Sequence, residues 1–202
     1  MSTLSEYDIL FQSERGINLL CGVDEAGRGP LAGPVMVGAI IPDYTNIFDT
    51  INDSKKLSDK KRRLLYPQLI ESAVAYKTIA LDQDIIDDIN ILEATKLAMR
   101  MAISELEKTP DFVLIDAVKL GGLSVPTDGL IHGDAISYAI AAASILAKVE
   151  RDDIMIKYHE QYPEYGFDVH KGYGTKMHIE MLKKYGPCPI HRRSFIKNFF
   201  KD

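Results

Sequence analysis

Residues 19 to 41 read LLCGVDEAGRGPLAGPVMVGAII. Two short runs rich in Val, Ile and Leu, at 17 to 23 and 34 to 41, flank a Gly/Pro segment and predict two β-strands. Asp24 and Glu25 stand where the first strand ends. Because an ionised carboxyl is costly to remove from water unless its charge is compensated, something must neutralise this pair. The stretch therefore predicts a charged site at one edge of a sheet.

The rest of the chain alternates helical and strand patterns. The predicted elements are a helix over 59 to 72 capped by Ser58, a strand over 73 to 81, a helix over about 84 to 108, a strand over 112 to 116, a long Ala-rich helix from Gly133 capped by Asp134, and an amphipathic helix from Thr175 to Gly186. Strands followed by a helix, a strand and more helices predict an α/β fold, a mixed sheet flanked by helices with a helical C-terminal extension. We expect a single domain over 1–202, with a core over about 1–160 and the extension over about 161–202.

Composition and cysteine usage indicate a soluble cytoplasmic protein. A chain of 202 residues that is 46% hydrophobic can bury one core. Cys21 and Cys188 form neither a Cys-x-x-Cys pair nor a disulfide framework, which is typical of reduced thiols. The sequence shows no charged-then-apolar leader and no apolar run near the ~20 residues that cross a bilayer. We therefore expect a cytoplasmic location and no membrane partner.

Charge is unevenly distributed along the chain. The formal net charge is -5, yet the segment from His170 to Asp202 carries eight Lys or Arg against two acids. An acidic body with a basic end is compatible with a polyanion that reaches an acidic, metal-loaded site. An ordinary solvated helical face is the other interpretation.

Four carboxylates are candidate metal ligands. Asp24 and Glu25 end one predicted strand, Asp116 ends another, and Asp134 begins the long helix. Ligands gather at the carboxyl ends of strands in α/β sheets, and converging carboxylates suit a hard divalent cation such as Mg²⁺. Asp134 alone is also a common N-cap, and Asp116 alone could begin a turn.

The glycine segment GRGPLAG matches no common nucleotide-binding motif. It lacks the Lys and Ser/Thr of a phosphate loop, and Ala32 breaks the Gly-x-Gly-x-x-Gly pattern. Gly27 and Gly29 would let the backbone approach a ligand closely, and Arg28 would supply charge. A plain tight turn remains the alternative.

Six blocks in order closely resemble bacterial ribonuclease HII. They are VDEAGRGPLAGPVMVGAI (23–40), DSKKLS (53–58), LIDAVKL (114–120), GDAISYAIAAASILAKVERD (133–152), YPEYGFDVHKGYGTKMH (162–178) and GPCPIHRRSF (186–195). The related ribonuclease HIII usually carries Ser, Lys and Asp where this chain has Ala26, Arg28 and Pro30. At His132, Tyr138 and Met177 the chain differs from the residues usual in that family. These differences affect the expected local contacts with phosphate.

The resemblance implies a ribonuclease H-like fold and an endonuclease. It implies that Asp24, Glu25, Asp116 and Asp134 bind two divalent ions, Mg²⁺ or Mn²⁺, and carry catalysis. The implied substrates are RNA–DNA hybrids and DNA duplexes with embedded ribonucleotides, cut by a monomer without an obligate protein partner to leave 5′-phosphate and 3′-hydroxyl ends. The substrate-binding residues implied by the resemblance are Gly27, Arg28, Gly29, Lys55, Lys56, Ser144, Lys148 and Tyr173.

Each of these residues has a simpler interpretation. Tyr173 could be an aromatic loop anchor, Lys55 and Lys56 a solvated turn, and Ser144 with Lys148, one turn apart on the long helix, could simply pack. The five histidines show no zinc spacing, and we expect them to be structural or surface groups. Phosphate contacts are expected along Lys171 to Lys201, with Arg192 and Arg193 as the test positions.

Three other functions remain open from the sequence. They are a ribonuclease HIII-like hybrid nuclease, a hybrid-binding protein without catalysis, and an Asp/Glu glycosidase. A glycosidase needs two carboxyls but no metal, so a chelator separates it from a metal-dependent nuclease. A binding protein would never release product.

Overall fold

A computed structural model of the chain describes residues 3–51 and 57–200. Its single five-stranded sheet comprises β1 (Leu20–Ala26), β2 (Val35–Ile41), β3 (Ala75–Leu81), β4 (Phe112–Asp116) and β5 (Thr127–Leu130). The helices are α1 (Thr3–Arg15), α2 (Asp59–Ser72), α3 (Gln83–Ile89), α4 (Ile91–Ser104), α5 (Tyr138–Gln161), α6 (Phe167–His170), α7 (Lys176–Tyr185) and α8 (Arg193–Ile196).

The sheet is mixed, as predicted. Its strand order is β3-β2-β1-β4-β5. The first three strands form an antiparallel meander, whereas β1, β4 and β5 run parallel. Because β1 and β4 are parallel neighbours, their carboxyl ends meet at the same edge of the sheet. The acidic ends of these two strands are thereby brought together.

Helices cover both faces of the sheet. On one face, α4 packs Ala94, Ala98 and Met99 against the side chains of β1 and β2. On the other face, α5 lies across β1 and β2 together with residues of α1 and α2. The fold prediction of a mixed sheet flanked by helices is confirmed.

Two glycines let α5 lie unusually close to the sheet. A Cβ on Gly22 would lie 2.0 Å from the carbonyl carbon of Ala139, and one on Gly38 would lie 2.5 Å from the carbonyl oxygen of Ala143. Either contact is sterically impossible, so only glycine fits at both strand positions. Gly38 pairs with Asp24 across the sheet. The close approach therefore brings the middle of α5 beside the end of β1.

One predicted helix and two unpredicted elements differ from the expectation. The helix predicted over 84 to 108 is two helices, α3 and α4, because Asn90 adopts φ 66° and its side chain caps α4 through the amides of Leu92 and Glu93. The helix α1 and the short strand β5 were not predicted. Neither segment has a strong periodic pattern of apolar residues, so the sequence alone did not reveal them.

The start of the long helix was also predicted wrongly. Asp134 lies in a 3₁₀ turn, Gly133–Ala135, and α5 begins only at Tyr138. Ser137 is the N-cap, accepting from the amide of Ile140. Asp134 is therefore not the N-cap of α5, and the simpler explanation for its position does not apply to this helix.

The C-terminal region is helical and folds back on the glycine segment. Ala32 pairs with His191 in an isolated antiparallel bridge. Around it, the amide of Leu31 donates to the carbonyl of Gly172, and the amide of Arg192 donates to the carbonyl of Leu31. The division at about residue 160 remains a prediction. In the part of the chain that the structure describes, no helix has the length and apolar character needed to cross a membrane.

Candidate active site

Three of the four predicted carboxylates lie at one edge of the sheet and line the same cleft, and Asp134 is not among the residues that line it. Asp24 and Glu25 end β1, Asp116 ends β4, and all three line a cleft of about 300 Å³. Ser144, Lys148 and Tyr173 also line it. Four segments distant in sequence therefore meet at this cleft: the ends of β1 and β4, the helix α5 and the loop that carries Tyr173.

Asp24 is a buried carboxyl with a strongly perturbed pKa. It is only 3% exposed, and burial raises its pKa well above the usual value, helped by the negative charges of Glu25 and Asp116. The Ser144 hydroxyl and the Glu25 amide donate hydrogen bonds to Asp24, which favours the ionised form. Desolvation and the nearby negative charges raise the pKa by more than these hydrogen bonds lower it. Without a bound cation, the site therefore disfavours the ionised form of Asp24.

Asp116 organises the turn that carries the fourth carboxylate. Its Oδ1 accepts a 2.7 Å hydrogen bond from the amide of Gly133. A Cβ on Gly133 would lie 2.6 Å from Ile140, so the turn fits tightly there. Asp134 follows directly and is 2% exposed. The hydrogen bond between Asp116 and Gly133 thus holds the backbone directly before Asp134.

Arg28 pairs with a carboxylate of the cleft. Its Nη1 lies 3.3 Å from Oε1 of Glu25, and both side chains retain some exposure, 42% for Arg28 and 14% for Glu25. A partly exposed pair of this kind is weak. The guanidinium can therefore leave Glu25 for a phosphate or for solvent without a large penalty.

The donor chemistry fits a hard divalent cation. Within residues 3–51 and 57–200, no three His, Cys, Asp or Glu side chains converge closely enough to hold a metal ion in their present positions. Three carboxylates nevertheless line one cleft, and their mutual repulsion contributes to the raised pKa of Asp24. Carboxylate oxygens are the ligands that Mg²⁺ and Mn²⁺ prefer, and a bound cation would remove that repulsion.

The glycine segment is held by a buried arginine that the sequence analysis placed elsewhere. Arg192 is fully buried, and it donates to the carbonyls of Gly27 at 2.6 Å, Arg28 at 2.9 Å and Gly33 at 2.9 Å. The prediction that Arg192 contacts phosphate is therefore wrong for the described conformation. Its neighbour Arg193 is exposed.

A second buried arginine, Arg151 of α5, ties the glycine segment to the loop after α6. It donates to the carbonyls of Ala32, Pro34 and Lys171 at 3.0 to 3.2 Å. It also fills the space beside Gly27, where φ is +92° and a Cβ would lie 1.9 Å from the Arg151 Nε. Glycine is thus required at position 27 for both conformation and space.

These two arginines are the supporting residues that sequence reasoning missed. In the described part of the chain, their hydrogen bonds go to backbone carbonyls. Burial lowers the pKa of both, that of Arg192 to about 9, with the charge of Arg151 as the next cause. The blocks AKVERD and HRRSF contained them, but nothing in a basic residue's sequence position reveals that it is buried.

Tyr173 closes the cleft on the side of the glycine segment. Its side chain is 43% exposed, and Cε1 of its ring would lie 4.0 Å from a Cβ on Gly29. Nζ of Lys148 and Cζ of Arg151 lie 5.9 and 5.8 Å from the ring centroid. Lys148 also donates to Asp152 at 2.7 Å. The ring therefore lies close to the glycine segment and to two cationic side chains, and it remains partly exposed.

Lys55 and Lys56, which the resemblance implies as substrate contacts, lie outside the residues that the structure describes. Arg62 of α2, which the sequence analysis did not single out, lines the cleft and donates to the carbonyl of Leu57. Its position at the start of α2, just after DSKKLS, was the available signal.

Comparison with known proteins agrees with this geometry. The family model described as ribonuclease HII matches residues 21–198. The chain is 52% identical over 184 residues to ribonuclease HII of Ruminiclostridium cellulolyticum, covering 91% of this chain and 72% of that protein. It is 50% identical over 200 residues to ribonuclease HII of Caldicellulosiruptor bescii, covering 96% and 97%.

A solved structure shares the fold at lower identity. The crystal structure of ribonuclease H2 from Pyrococcus horikoshii matches with a TM-score of 0.75 and 28% identity, covering 92% of this chain and 100% of that one. The family match spans most of the chain, and the two relatives are half identical to it. The chain therefore belongs to the ribonuclease HII family, whose members are endonucleases of the ribonuclease H class.

Proposed function

We propose that the chain hydrolyses the RNA strand of RNA–DNA hybrids and nicks DNA duplexes 5′ to embedded ribonucleotides. The observation that carries this proposal is the shared cleft, in which three carboxylates lie beside Gly27 and Tyr173. Family membership supports action on RNA–DNA hybrids. The corresponding cellular roles are removal of misincorporated ribonucleotides and of RNA primers.

The carboxylates Asp24, Glu25, Asp116 and Asp134 are proposed to hold two divalent ions, Mg²⁺ or Mn²⁺. Bound metal supplies activation of a water for in-line attack on phosphorus and stabilisation of the departing 3′ oxygen, which leaves 5′-phosphate and 3′-hydroxyl ends. Ser144 orients Asp24 through its hydroxyl, and the Asp116 carboxylate fixes the turn of Asp134. No Ser or Cys nucleophile is required.

The positively charged side chains around the cleft are proposed to bind the phosphate backbone of the nucleic acid. Lys148 lines the cleft and Arg28 lies at its rim, beside Glu25. Lys55 and Lys56 are proposed as further phosphate contacts. Such contacts position the substrate and make binding salt-dependent, whereas they do not distinguish RNA from DNA.

Discrimination of RNA is proposed to come from the ribose. Only the 2′-hydroxyl distinguishes RNA from DNA at a given position. Arg192 donates to the carbonyls of Gly27 and Arg28, which fixes this part of the backbone. Gly27 lines the cleft, and Arg28 and Gly29 are exposed. We assign reading of the 2′-hydroxyl to this segment. The ring of Tyr173 would pack on the sugar of the next nucleotide.

We propose that the enzyme acts as a monomer in the cytoplasm, without an obligate protein partner. Both cysteines are free, which suits a reducing compartment. A ribonuclease HIII-like activity is less well supported, because the curated relatives at about half identity are ribonucleases HII. A glycosidase or a hybrid-binding protein without catalysis finds no support in the family match.

The decisive experiment uses a labelled DNA duplex that contains one ribonucleotide. Incubation with Mg²⁺ or Mn²⁺ should give a single nick 5′ to the ribonucleotide, with a 3′-hydroxyl that a polymerase can extend. Chelator should abolish the nick, and an all-DNA duplex should stay intact. Cleavage of the all-DNA duplex, or cleavage that persists with chelator, would exclude the proposed function.

A further inference from the structure

Three of the five histidines form a buried cluster behind Tyr173. His178 is fully buried and His191 is 2% exposed, while the rings of His170 and His178 stack with centroids 4.4 Å apart. Phe167 packs edge-on against the ring of His178, with centroids 5.4 Å apart. Buried histidines need defined partners, because an unsatisfied ring nitrogen in an apolar setting is unfavourable.

The partners of His178 and His191 fix one tautomer for each ring. Nδ1 of His191 lies 3.0 Å from the amide, 3.1 Å from Sγ and 3.3 Å from the carbonyl oxygen of Cys188, so these contacts alone allow it to accept or to donate. His178 decides between the two: when its Nδ1 carries the proton, its Nε2 can only accept, so the facing Nε2 of His191 carries the proton and Nδ1 of His191 accepts from the Cys188 amide. The carbonyl of Tyr173 lies 2.9 Å from Nδ1 of His178, and a carbonyl can only accept, so this nitrogen carries the proton.

With these tautomers, the facing nitrogens of the two rings are one donor and one acceptor. Nε2 of His191 donates to Nε2 of His178 across 3.0 Å. The result is a directed chain of hydrogen bonds from the Cys188 amide through His191 and His178 to the carbonyl of Tyr173. A second proton on His178 would lie on Nε2 and would oppose the N–H group of His191. Burial in addition lowers the pKa of both histidines to about 4.

The chain of hydrogen bonds ends on the residue proposed to read the substrate. The carbonyl of Tyr173 also accepts from the amide of Thr175, and the amide of Tyr173 donates to the carbonyl of His170. His178 thereby adds a side-chain hydrogen bond to the Tyr173 backbone. The opposite end, at His191, is fixed to the glycine segment by the bridge to Ala32.

We propose that His178 and His191 are positioning residues for substrate discrimination: through this hydrogen-bond chain they hold the Tyr173 backbone in register with Gly29. The proposal rests on the proposed role of Tyr173. It predicts that breaking these hydrogen bonds slows nicking at a single ribonucleotide more than it slows cleavage of a continuous RNA–DNA hybrid. Continuous hybrid offers a 2′-hydroxyl at every position and depends less on one ring orientation.

The two amide residues allow a reciprocal test. Asn places its NH₂ group where His carries Nδ1, and Gln places it near Nε2. At position 178 the donor to Tyr173 survives in His178→Asn and is lost in His178→Gln. At position 191 the donor to His178 survives in His191→Gln and is lost in His191→Asn. A role in packing alone would not reverse the ranking of Asn and Gln between the two positions.

The measurement is kcat/KM on both substrates and the ratio between them. His178→Gln, which removes the donor to the Tyr173 carbonyl, should lower the ratio of single-ribonucleotide nicking to hybrid cleavage by about three- to ten-fold, the factor expected for one hydrogen bond. His178→Asn and His191→Asn keep that donor and remove only the hydrogen bond between the two rings, so each should lower the ratio less than His178→Gln does, by about two- to three-fold. His191→Gln keeps the hydrogen bond between the two side chains and should have the smallest effect of the four. His159→Asn, which changes a partly exposed histidine paired with Asp168, is the matched control and should leave the ratio unchanged.

Tyr173→Ala separates the two possible failures. If Tyr173→Ala lowers the ratio but His178→Gln does not, the positioning role is overturned and the reading role of Tyr173 stands. If Tyr173→Ala lowers cleavage of both substrates equally, the reading role itself fails and the positioning proposal fails with it. For variants that do not fold, ¹⁵N NMR of the wild-type rings decides: the proposal requires a proton on Nδ1 of His178 and Nε2 of His191 at neutral pH, and the opposite tautomers would overturn it.

Discussion

The carboxylate edge of the sheet and the support behind the glycine segment use buried polar groups in opposite ways. At the edge, Asp24 is buried beside Glu25 and Asp116, and burial together with like charge raises its pKa. Behind the segment, Arg151, Arg192, His178 and His191 are equally buried, yet each meets a partner of the right kind. The first region leaves like charges close together, which a bound cation would relieve. The second is complete by itself.

This difference follows from what each region has to do. A metal site must present charge that a ligand will neutralise, so some electrostatic strain persists in its absence. A surface that reads one hydroxyl must hold its backbone still, which a satisfied hydrogen-bond network achieves. Substitutions in the two regions should therefore have different signatures, and five experiments can break or sharpen the contrast.

The largest effect is expected at the edge. Asp24→Asn and Asp134→Asn should each reduce kcat by more than about 1,000-fold, because each removes metal-ligand charge, while hybrid binding persists. Asp24→Asn should also raise the melting temperature of the metal-free protein, since it removes a buried carboxyl whose pKa is raised. Single-turnover cleavage, hybrid binding and thermal unfolding are the measurements.

Asp128→Asn on β5 is the matched control for this pair. Asp128 is exposed, and the substitution makes the same change in charge outside the cleft. It should leave turnover unchanged. Turnover near the wild-type rate in Asp24→Asn or Asp134→Asn would contradict the assignment of the four carboxylates.

Behind the glycine segment, the expected loss is in stability. Arg192→Lys keeps the positive charge but cannot reach three carbonyls at once, so it should lower the free energy of unfolding by about 3 kcal/mol. Urea unfolding measures it, with Arg193→Lys as the exposed neighbouring control. If the two variants were equally stable, the fork of hydrogen bonds to Gly27, Arg28 and Gly33 would not be supporting the segment.

Substrate discrimination should depend on the ring of Tyr173. Tyr173→Ala removes the packing surface, and if stacking is worth roughly 1 to 3 kcal/mol, single-ribonucleotide nicking should slow by about ten-fold to a hundred-fold. Tyr173→Phe keeps the ring and should be mild. Measuring kcat/KM on both substrates tests this, and equal losses on both would mean that Tyr173 is only a structural anchor.

The histidine cluster should make stability depend on pH. The pKa of His178 and His191 falls to about 4 in the fold from an ordinary 6.5, so the unfolded chain binds more protons between these values. Their contribution is complete above pH 6.5 and is lost as pH falls toward 4. Between pH 7 and pH 5, His178 alone should account for about 1 to 2 kcal/mol of lost unfolding free energy.

The comparison of wild type with His178→Asn isolates this contribution. Asp8, buried against α5, has a pKa raised to about 6 and acts with the opposite sign in the same window, but it is common to both proteins. Urea unfolding from pH 5 to pH 7.5 should show a shallower pH dependence for the variant. Parallel curves would mean that His178 does not titrate as its surroundings require.

The smallest effect is expected from the exposed basic residues of the C-terminal region. Since Arg192 is buried, Lys183 and Lys184 at the exposed end of α7 are the better test of phosphate contact. Changing both to Gln should reduce the slope of log affinity against log salt by about one to two. Lys108→Gln with Lys157→Gln is the control of equal charge, and equal slopes in both double variants would mean that the tail's charge is ordinary surface solvation.

Much of the site was predictable because its chemistry is carried by residue type and by position at the ends of elements. Asp24 and Glu25 interrupt an apolar run, and Asp116 closes another, so their convergence follows from the parallel pairing of two strands. The break at Asn90 and the cap at Ser137 were not predictable in the same way, because each depends on one local conformation that competes with a continuous helical pattern.

The sequence by itself determined the mixed α/β fold, the family and the carboxylate edge, since each rests on periodicity, order of blocks and residue chemistry. Only the tertiary structure decided which basic residues are buried and which hydrogen-bond partners fix the histidine tautomers. Arg192 and Arg193 are adjacent in sequence, yet one is buried against backbone carbonyls and the other is exposed. The physical reason is that burial and hydrogen-bond direction depend on contacts between segments distant in the chain, which no local pattern of residues encodes.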